Sequence, residues 1–395
     1  MTDHRSDVVV VGGGAIGLAS AWRLAQQGLA VTVVDPAPGS GASGVAAGML
    51  APITEARPGE EDQLRLNLAS WSRWPAFAAE VEAALAAAGD TDGEAPEIGY
   101  RSDGTLVAAL DADDRAALDD IVARQRSLGL EITTLRGREA RALEPGLAPG
   151  VRAGALAAGE RSVDPAALVA ALARITGAAG VTTLAAPVER VVLDGDDGAR
   201  VTGVALAGGE TVDAPTVVLA AGSWTGTIAG LPDAARPPVR PVKGQILTLR
   251  QPPGDPLLTR TVRGLVRGSS VYLVPRRDGR IVVGATVEER GWDTRVTAGG
   301  AYELLRDVLA LVPGLDDAEL AAVRTGLRPG SPDDLPMIGA GAIEGLVVAT
   351  GHFRNGILLT PVTSELAVAA LAGEPLPDWA ACCDPARFAR VEALA

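Results

Sequence analysis

Arg354 lies between two apolar stretches, GLVVAT before it and GILLTPV after it, in the segment GHFRNGILL (351–359). A buried guanidinium without a negative partner is costly, so this position predicts a nearby anion. The anion is either a ligand or a protein carboxylate such as Glu365. An arginine can hold a carboxylate through two parallel hydrogen bonds, but the segment alone leaves the kind of anion open.

A glycine pattern near the amino terminus indicates a dinucleotide site. Gly12, Gly14 and Gly17 lie between the apolar run DVVVV and a helical pattern that ends at Gly28. In this fingerprint the glycines permit a tight turn, a close approach of the pyrophosphate and close packing of helix on strand. Asp35 follows the next apolar strand; it can accept the hydroxyls of an adenosine ribose and would repel a 2′-phosphate. The alternative is a glycine-rich turn without a ligand.

The number of fingerprints favours a flavin dinucleotide. Only one is present, whereas an enzyme that passes electrons between NAD(P)H and a flavin usually needs two sites. The segment GASGVAAGMLAP (41–52) is crowded with small residues and offers the hydroxyl of Ser43. Such a loop can lie flat against a pyrophosphate and ribityl chain, although an ordinary flexible loop is the alternative.

The elements that must position these residues are predicted to form two intertwined domains. Strand–helix–strand character occurs at both ends and in the middle of the chain, whereas residues 240–290 resemble β-hairpins, with one turn at Asp278-Gly279. We predict an α/β fold, with a Rossmann-like FAD-binding domain and an inserted substrate domain of mainly antiparallel β-sheet plus helices. The FAD-binding domain is predicted to comprise residues 1–85, 150–235 and 323–395, and the substrate domain residues 86–149 and 236–322.

Three local patterns give further expectations. The long helical pattern over residues 61–88 is expected to break near Pro75. Residues 97–110 are predicted to form a hairpin. Asp164 is predicted to cap a helix that has Pro165 at its first position.

The composition narrows the class of protein. Hydrophobic residues make up 47% of the 395-residue chain, which favours a globular protein over a disordered one. The net charge of −14 argues against a nucleic-acid partner and against an anionic membrane surface. No signal peptide and no apolar run of about 18 residues is recognised. The only cysteines, Cys382 and Cys383, are adjacent, so no disulfide framework and no metal site is predicted, and a cytoplasmic location is expected.

Five segments carry a family resemblance. VVVVGGGAIG, ASGVAAGML, VYLVPR–GRIVVGAT, GLRPGSPDDLPMIG and GHFRNGILLTP occur in this order over almost the whole chain. Together they resemble the D-amino-acid oxidase superfamily of flavoproteins, and most closely its glycine oxidases of thiamine biosynthesis. The resemblance implies FAD that is held non-covalently, because residues 324–334 hold no cysteine where flavin-tethering relatives have one.

The resemblance also implies roles for individual residues. Arg328 and Arg354 match arginines that face the substrate carboxylate, and Tyr272 matches a tyrosine that hydrogen-bonds it; an internal ion pair and a core aromatic are the alternatives. His352 is expected to contribute through its backbone rather than as a general base. Ser270 stands where better-studied relatives have a histidine, which leaves its contribution open. The implied cofactor-binding positions are Gly12, Gly14, Ala15, Ile16, Gly17, Asp35, Pro36, Ala42, Ser43, Ala47, Gly48, Met49 (or a plain core methionine), Val188, Gly222, His352, Phe353, Asn355, Gly356, Ile357 and Leu358.

The reaction implied by the resemblance is oxidative deamination of glycine, and of sarcosine or small D-amino acids. Hydride would pass to flavin N5, dioxygen would be reduced to hydrogen peroxide, and the imine would yield a 2-oxo acid and ammonia or feed thiazole synthesis. A helix that begins after Asn355 is expected to direct its N-terminus at the flavin. A homotetramer is implied as well. The alternatives are a sarcosine or D-amino-acid oxidase or dehydrogenase, and a non-catalytic dinucleotide sensor.

Overall fold

A computed structural model describes residues 4–89, 97–194, 199–251 and 256–389. The strands are β1 (His4–Arg5), β2 (Val8–Val11), β3 (Val31–Val34), β4 (Met49–Leu50), β5 (Thr105–Ala109), β6 (Thr133–Arg136), β7 (Ala153–Ala157), β8 (Arg161–Ser162), β9 (Thr182–Leu184), β10 (Val188–Leu193), β11 (Val201–Leu206), β12 (Thr211–Asp213), β13 (Thr216–Leu219), β14 (Arg240–Arg250), β15 (Thr261–Val266), β16 (Ser269–Pro275), β17 (Arg280–Gly284), β18 (Glu319–Gly330), β19 (Met337–Ala340) and β20 (Leu346–Thr350). The helices are α1 (Ala15–Gln26), α2 (Glu61–Ala87), α3 (Ala112–Ser127), α4 (Gly137–Leu143), α5 (Pro165–Ala178), α6 (Ala298–Leu311), α7 (Thr360–Leu371) and α8 (Ala386–Ala389).

The first large sheet has six strands in the order β19-β20-β13-β2-β3-β9. All its neighbouring pairs are parallel except β19 with β20. β2 is apolar throughout, β3 is apolar except for Thr32, and both are buried at every position, as expected for a parallel sheet with both faces covered. Helices α1, α5 and α7 pack together beside this sheet and share one core with it.

The second large sheet has eight strands in the order β18-β14-β17-β16-β15-β5-β7-β6. Its pairs are antiparallel except β15 with β5. Helix α6 packs on it through Leu304, Val308 and Leu311 and closes a second core. A further four-stranded sheet, β1-β12-β11-β10, lies beside the first.

The predicted fold class is confirmed, because a mainly parallel nucleotide-binding sheet and a mainly antiparallel sheet are interleaved along one chain. The division into domains at residues 85, 149, 235 and 322 remains a proposal. β7 and β18 lie near two of these boundaries, and both pair within the eight-stranded sheet.

Two local expectations are wrong for identifiable reasons. Helix α2 runs through Pro75 without a break. Because Pro75 has no N–H, the carbonyl of Trp71 lacks its usual helical donor. It accepts instead from Nη1 of Arg161 at 3.2 Å, and the Arg161 guanidinium also lies 4.2 Å from the Trp71 ring centroid. Residues 97–110 form no hairpin, because β5 pairs instead with β7 and β15.

Two other local predictions are confirmed. Asp164 caps α5, with its carboxylate accepting from Ala166 N at 3.0 Å, and Pro165 is the first helical residue. β16 and β17 are joined by the turn at Asp278-Gly279. Among the residues that the structure describes, no helix is both long and apolar enough to span a membrane.

Candidate active site

A cavity of about 630 Å³ lies between the six-stranded and the eight-stranded sheet. Its wall takes residues from both, including the turn after β2 and side chains on β16 and β18. Seventeen of the predicted cofactor-binding residues line it: Gly12, Gly14, Ala15, Ile16, Asp35, Pro36, Ala42, Ser43, Ala47, Gly48, Met49, Val188, Gly222, His352, Phe353, Gly356 and Ile357. Tyr272, Arg328, Arg354 and Ser270 line it as well.

Gly17, Asn355 and Leu358 were also predicted to bind the cofactor, but they do not line the cavity. Gly17 faces the carbonyl of Gly12, where a Cβ would overlap, so it permits the close packing of α1 on the turn. Asn355 is buried. The carbonyl of Leu358 accepts from Ser70 Oγ and Trp74 Nε1 at 2.6 and 2.8 Å, which fixes this residue in the core.

The turn from β2 into α1 has the geometry of a phosphate cradle. Gly12 has a φ of +111°, and a Cβ there would overlap the carbonyl of Ala220. Gly14 is the N-cap of α1 and provides no side-chain cap. The first turn of the helix therefore presents backbone donors and the positive end of its dipole to the cavity.

Asp35 is held in place at the end of β3. Its Oδ2 accepts from Gly13 N and its Oδ1 from Ala37 N, both at 2.7 Å. Each carboxylate oxygen has a further lone pair, so the side chain can still accept hydroxyls from a ribose. This carboxylate thus fixes the glycine turn as well as facing the cavity.

The segment 42–49 covers the start of α1. Ser43 Oγ accepts from Ala15 N at 3.1 Å, which leaves its own proton to be donated into the cavity. Arg276, buried behind this segment, donates to the carbonyls of Ala47 and Val163 at 2.6 and 3.1 Å. Burial lowers the pKa of Arg276 to about 10, so it remains a cation at neutral pH.

Together these features fit a dinucleotide with a pyrophosphate. The glycine turn leaves room for phosphate oxygens, the helix supplies donors, and Asp35 supplies the ribose acceptor. Among the described residues of the cavity wall there is no cysteine that could tether a flavin.

Arg328 and Tyr272 face the cavity from the eight-stranded sheet. Arg328 Nη1 donates to the carbonyls of Thr286 and Lys243 at 3.0 and 3.4 Å. A Cβ at Gly244 would overlap the Arg328 guanidinium, and one at Gly284 would overlap the Tyr272 hydroxyl, so both glycines leave space for these side chains. Burial raises the pKa of Tyr272, with Arg328 acting against it, so the phenol is neutral and can donate.

Arg354 is paired with a protein carboxylate, but the partner is Glu60. The alternative partner suggested by the sequence, Glu365, pairs instead with Arg73 at 2.7 Å. The Nε of Arg354 is buried and has no acceptor among the described residues, so one donor of the guanidinium is left over. The preceding residue, Phe353, adopts a φ of +46°, a strained conformation for a bulky side chain.

His352 shows no geometry of a general base. Its Nε2 lies 3.0 Å from Thr363 Oγ1 on α7. Burial lowers the pKa of His352 to about 3, so the ring is neutral at physiological pH. Helix α7 begins at Thr360, later than the sequence suggested, and the turn that precedes it supplies Gly356 and Ile357 to the cavity. The Thr360 hydroxyl donates to the Gly356 carbonyl at 3.0 Å within that turn.

Three charged residues of the cavity wall were missed from the sequence: Glu55, Arg57 and Arg263. Arg263 is directly opposite Tyr272 in the pairing of β15 with β16, and its Nη1 lies 2.7 Å from Glu55 Oε1. An arginine inside the apolar strand TVRGLV carries the same signal that identified Arg354. Glu55 and Arg57 lie in a loop, where no periodic pattern distinguishes them.

Comparisons with known proteins agree with this geometry. The family model described as FAD dependent oxidoreductase matches residues 7–370. A glycine oxidase from Geobacillus kaustophilus is 34% identical over 92% of this chain and 92% of its own length. The crystal structure of a glycine oxidase from the same species superposes with a TM-score of 0.85 at 32% identity, covering 97% of this chain and 99% of that one.

A longer relative is similar as well. The bifunctional protein ThiO/ThiG of Synechocystis sp. is 34% identical over 97% of this chain, which spans only 54% of that protein. The predicted resemblance to glycine oxidases and the predicted cofactor class are confirmed. The chain belongs to the FAD-dependent oxidoreductase family and, within it, to the homologues of the glycine oxidases.

Proposed function

We propose that the protein oxidises glycine, and also sarcosine or small D-amino acids, with dioxygen as the electron acceptor. Glycine, dioxygen and water would give glyoxylate, ammonia and hydrogen peroxide. The similarity to glycine oxidases and to ThiO/ThiG proteins supports this substrate and a role in thiamine biosynthesis. The observation that carries the proposal is Arg328, which faces the cavity beside Tyr272 and, among the described residues, donates only to carbonyls.

The substrate carboxylate would be bound by Arg328, Tyr272 and Arg354. An unpaired guanidinium and a neutral phenol side by side can both donate to one carboxylate and bind it strongly, because each charge-assisted bond contributes about 1.5–3 kcal/mol. FAD, held non-covalently by the glycine turn and Asp35, supplies the hydride acceptor. The protein side chains position the Cα–H bond and need not remove a proton from carbon.

None of the described residues of the cavity wall is suited to act as a base, which supports hydride transfer. The ring of His352 is neutral and bonded to Thr363. The described lining residues include two acids, Asp35 and Glu55. Asp35 lies at the glycine turn, and Glu55 is paired with Arg263. Hydride transfer requires the amine in its neutral form, and catalysis then rests on positioning and preorganised charge.

The test is anaerobic reduction of the purified holoenzyme by glycine, sarcosine and D-alanine in parallel. We expect each active amine to bleach the flavin absorbance and, in air, to produce hydrogen peroxide in equal amount to the 2-oxo acid. Acetate and L-alanine are the controls. Acid precipitation should release the flavin if it is bound non-covalently. A yellow protein that none of the amines bleaches would contradict the proposed activity, and bleaching without peroxide would make it a dehydrogenase.

The proposal includes a homo-oligomer, which the family resemblance implies to be a tetramer. An exposed apolar patch supports self-association. Trp224 and Trp292, each 46% exposed, lie with ring centroids 5.6 Å apart, and Val287 and Val296 are also exposed. Light scattering after gel filtration tests this; a monomer at micromolar concentration would contradict it.

A further inference from the structure

The cavity wall has more positive charge than one amino-acid carboxylate needs. Four arginines line it, namely Arg57, Arg263, Arg328 and Arg354. Glu55 lines it too, and Glu60 reaches Arg354 from the neighbouring loop. Leaving aside Asp35 at the glycine turn, four cations face two anions, an excess of two positive charges in a protein whose net charge is −14.

The two carboxylates are each committed to one arginine. Glu55 pairs with Arg263 at 2.7 Å, and both side chains are largely buried, at 15% and 16% exposed. Glu60 pairs with Arg354. The charges that remain are those of Arg328 and Arg57.

Arg328 has a role in the proposed function, whereas Arg57 has none. Within the described part of the chain, no carboxylate lies within ion-pairing distance of Arg57, and its side chain makes no hydrogen bond. Arg57 lies at the exposed rim of the same cavity, close to Arg354. Partial burial lowers the pKa of Arg57, and the nearby charge of Arg354 lowers it further. Glu60 and Glu55 act in the opposite direction, and Arg263 adds to the lowering.

Arg57 is exposed at the cavity rim and has another arginine close by. Because two like charges act together there, an anionic group that enters the cavity is attracted more strongly than by a single arginine. Glycine brings a single carboxylate, which Arg328 and Tyr272 are arranged to take. The wall therefore has the charge for one further anionic group.

We propose that Arg57 binds a second anionic group of the substrate, so that the enzyme favours small amino acids or N-substituted glycines that carry an additional carboxylate. This inference rests on the proposed function for the reacting end of the substrate. For N-(carboxymethyl)glycine, the C–H bond next to the carboxylate on Arg328 is oxidised. The substrate with dioxygen and water then gives glycine, glyoxylate and hydrogen peroxide.

The test compares substrates that differ by one carboxylate. Sarcosine is paired with iminodiacetate, and D-alanine with D-aspartate. We expect kcat/KM to be higher for the acidic member of at least one pair, by about tenfold, the worth of one charge-assisted contact. The pair that responds shows whether the second anion sits on nitrogen or on Cα. If the acidic member is the poorer substrate in both pairs while glycine is oxidised, this inference fails and the proposed function stands.

Variants assign the effect to Arg57. Arg57→Gln should reduce the acidic-to-neutral ratio of kcat/KM by about tenfold, mainly through KM, and Arg57→Lys should restore part of it. Arg65→Gln is the matched control, because Arg65 is exposed and pairs with Asp62 outside the cavity. An equal loss for both members of each pair in Arg57→Gln would overturn the assignment.

A binding measurement keeps the inference testable if no amine is oxidised. Thiodiacetate and (methylthio)acetate have the shapes of iminodiacetate and sarcosine but cannot be deaminated. We expect the holoenzyme to bind thiodiacetate more tightly, measured by perturbation of the flavin spectrum, and Arg57→Gln to remove the difference. Equal affinity for the two ligands in the wild-type protein would refute a second anion site.

Discussion

The Arg354 guanidinium is ion-paired with the Glu60 carboxylate, although the two residues are 294 positions apart in the chain. The pair lies at the cavity wall, where a substrate carboxylate would approach Arg354. Glu60 therefore keeps Arg354 neutralised before substrate arrives and competes with the substrate for the same cation.

Replacing Glu60 with glutamine is expected to strengthen substrate binding. The variant keeps a hydrogen-bond acceptor for Arg354 but removes the competing negative charge, so KM for glycine should fall by about threefold to tenfold. Steady-state peroxide production measures it. Glu365→Gln is the control, because Glu365 pairs with Arg73 and should leave KM unchanged. A higher KM in Glu60→Gln would mean that Glu60 chiefly orients Arg354.

Replacing Arg328 with alanine is expected to abolish most of the activity. The substrate carboxylate would lose the arginine that has only carbonyl partners, so kcat/KM for glycine should fall by about 100-fold or more. Gly244→Ala should act in the same direction, because its Cβ would overlap the guanidinium. Flavin content should stay normal in both variants. Kinetics of Arg328→Ala that equal those of the wild type would exclude this arginine from the site.

The state of His352 is expected to affect stability rather than catalysis. The folded pKa of about 3 lies below the ordinary value of 6.5, so the unfolded chain binds the extra proton. The contribution of the neutral His352 ring to the free energy of unfolding is complete above about pH 6.5. It is lost as pH falls toward 3, by about 1.4 kcal/mol per pH unit. Urea unfolding at several pH values should show this pH dependence for the wild type, whereas the His352→Gln variant should lack it. If kcat/KM of the wild type, measured against pH, has an inflection that His352→Gln abolishes, then His352 takes part in catalysis and this prediction is wrong.

Glu160 is expected to fix the loop that carries Glu55 and Arg57. Its buried Oε1 accepts from Ile53 N and Thr54 N, both at 2.7 Å. Glu160→Ala leaves these two buried donors unsatisfied, at a cost of about 1–3 kcal/mol each, and should raise KM. Glu160→Gln keeps an acceptor oxygen and should be much milder. Equal KM values for the alanine variant and the wild type would show that the loop is held by other contacts.

The Glu160 carboxyl also predicts a pH dependence of stability. Burial raises its pKa to about 7 from 4.5, so the folded chain binds the extra proton between these values. The wild type should therefore lose stability relative to Glu160→Gln as pH rises from 4.5 to 7. Urea unfolding of both proteins across this range measures the difference. A wild type that gains stability relative to the variant would mean that the hydrogen bonds from Ile53 and Thr54 outweigh the effect of burial.

The cofactor half of the site could be predicted from sequence because its determinants are local. Gly12, Gly14 and Asp35 belong to one strand–helix–strand unit, in which short-range spacing fixes the turn and the acid. The sequence could not show that Asp35 also accepts from Gly13 N. A carboxylate at this position suits both a ribose hydroxyl and a backbone amide, so the residue type does not distinguish the two partners.

The partners at the substrate end could not be predicted, because they come from distant segments. Glu60 meets Arg354 only when the loop before α2 packs against the turn before α7. Likewise, Arg161 compensates the carbonyl left by Pro75 from a separate strand. Secondary-structure propensity and hydrophobic periodicity depend on residues close together in the chain, so they do not predict such long-range contacts.

The order of strands in the six-stranded sheet has a consequence for biosynthesis. Strand β13 lies between β2, from the start of the chain, and β20, from near its end. A ribosome must therefore synthesise the chain through β20 before this sheet is complete, and through Phe353 before that residue can line the cavity. A polypeptide that stops before β20 is accordingly expected to remain an apoprotein.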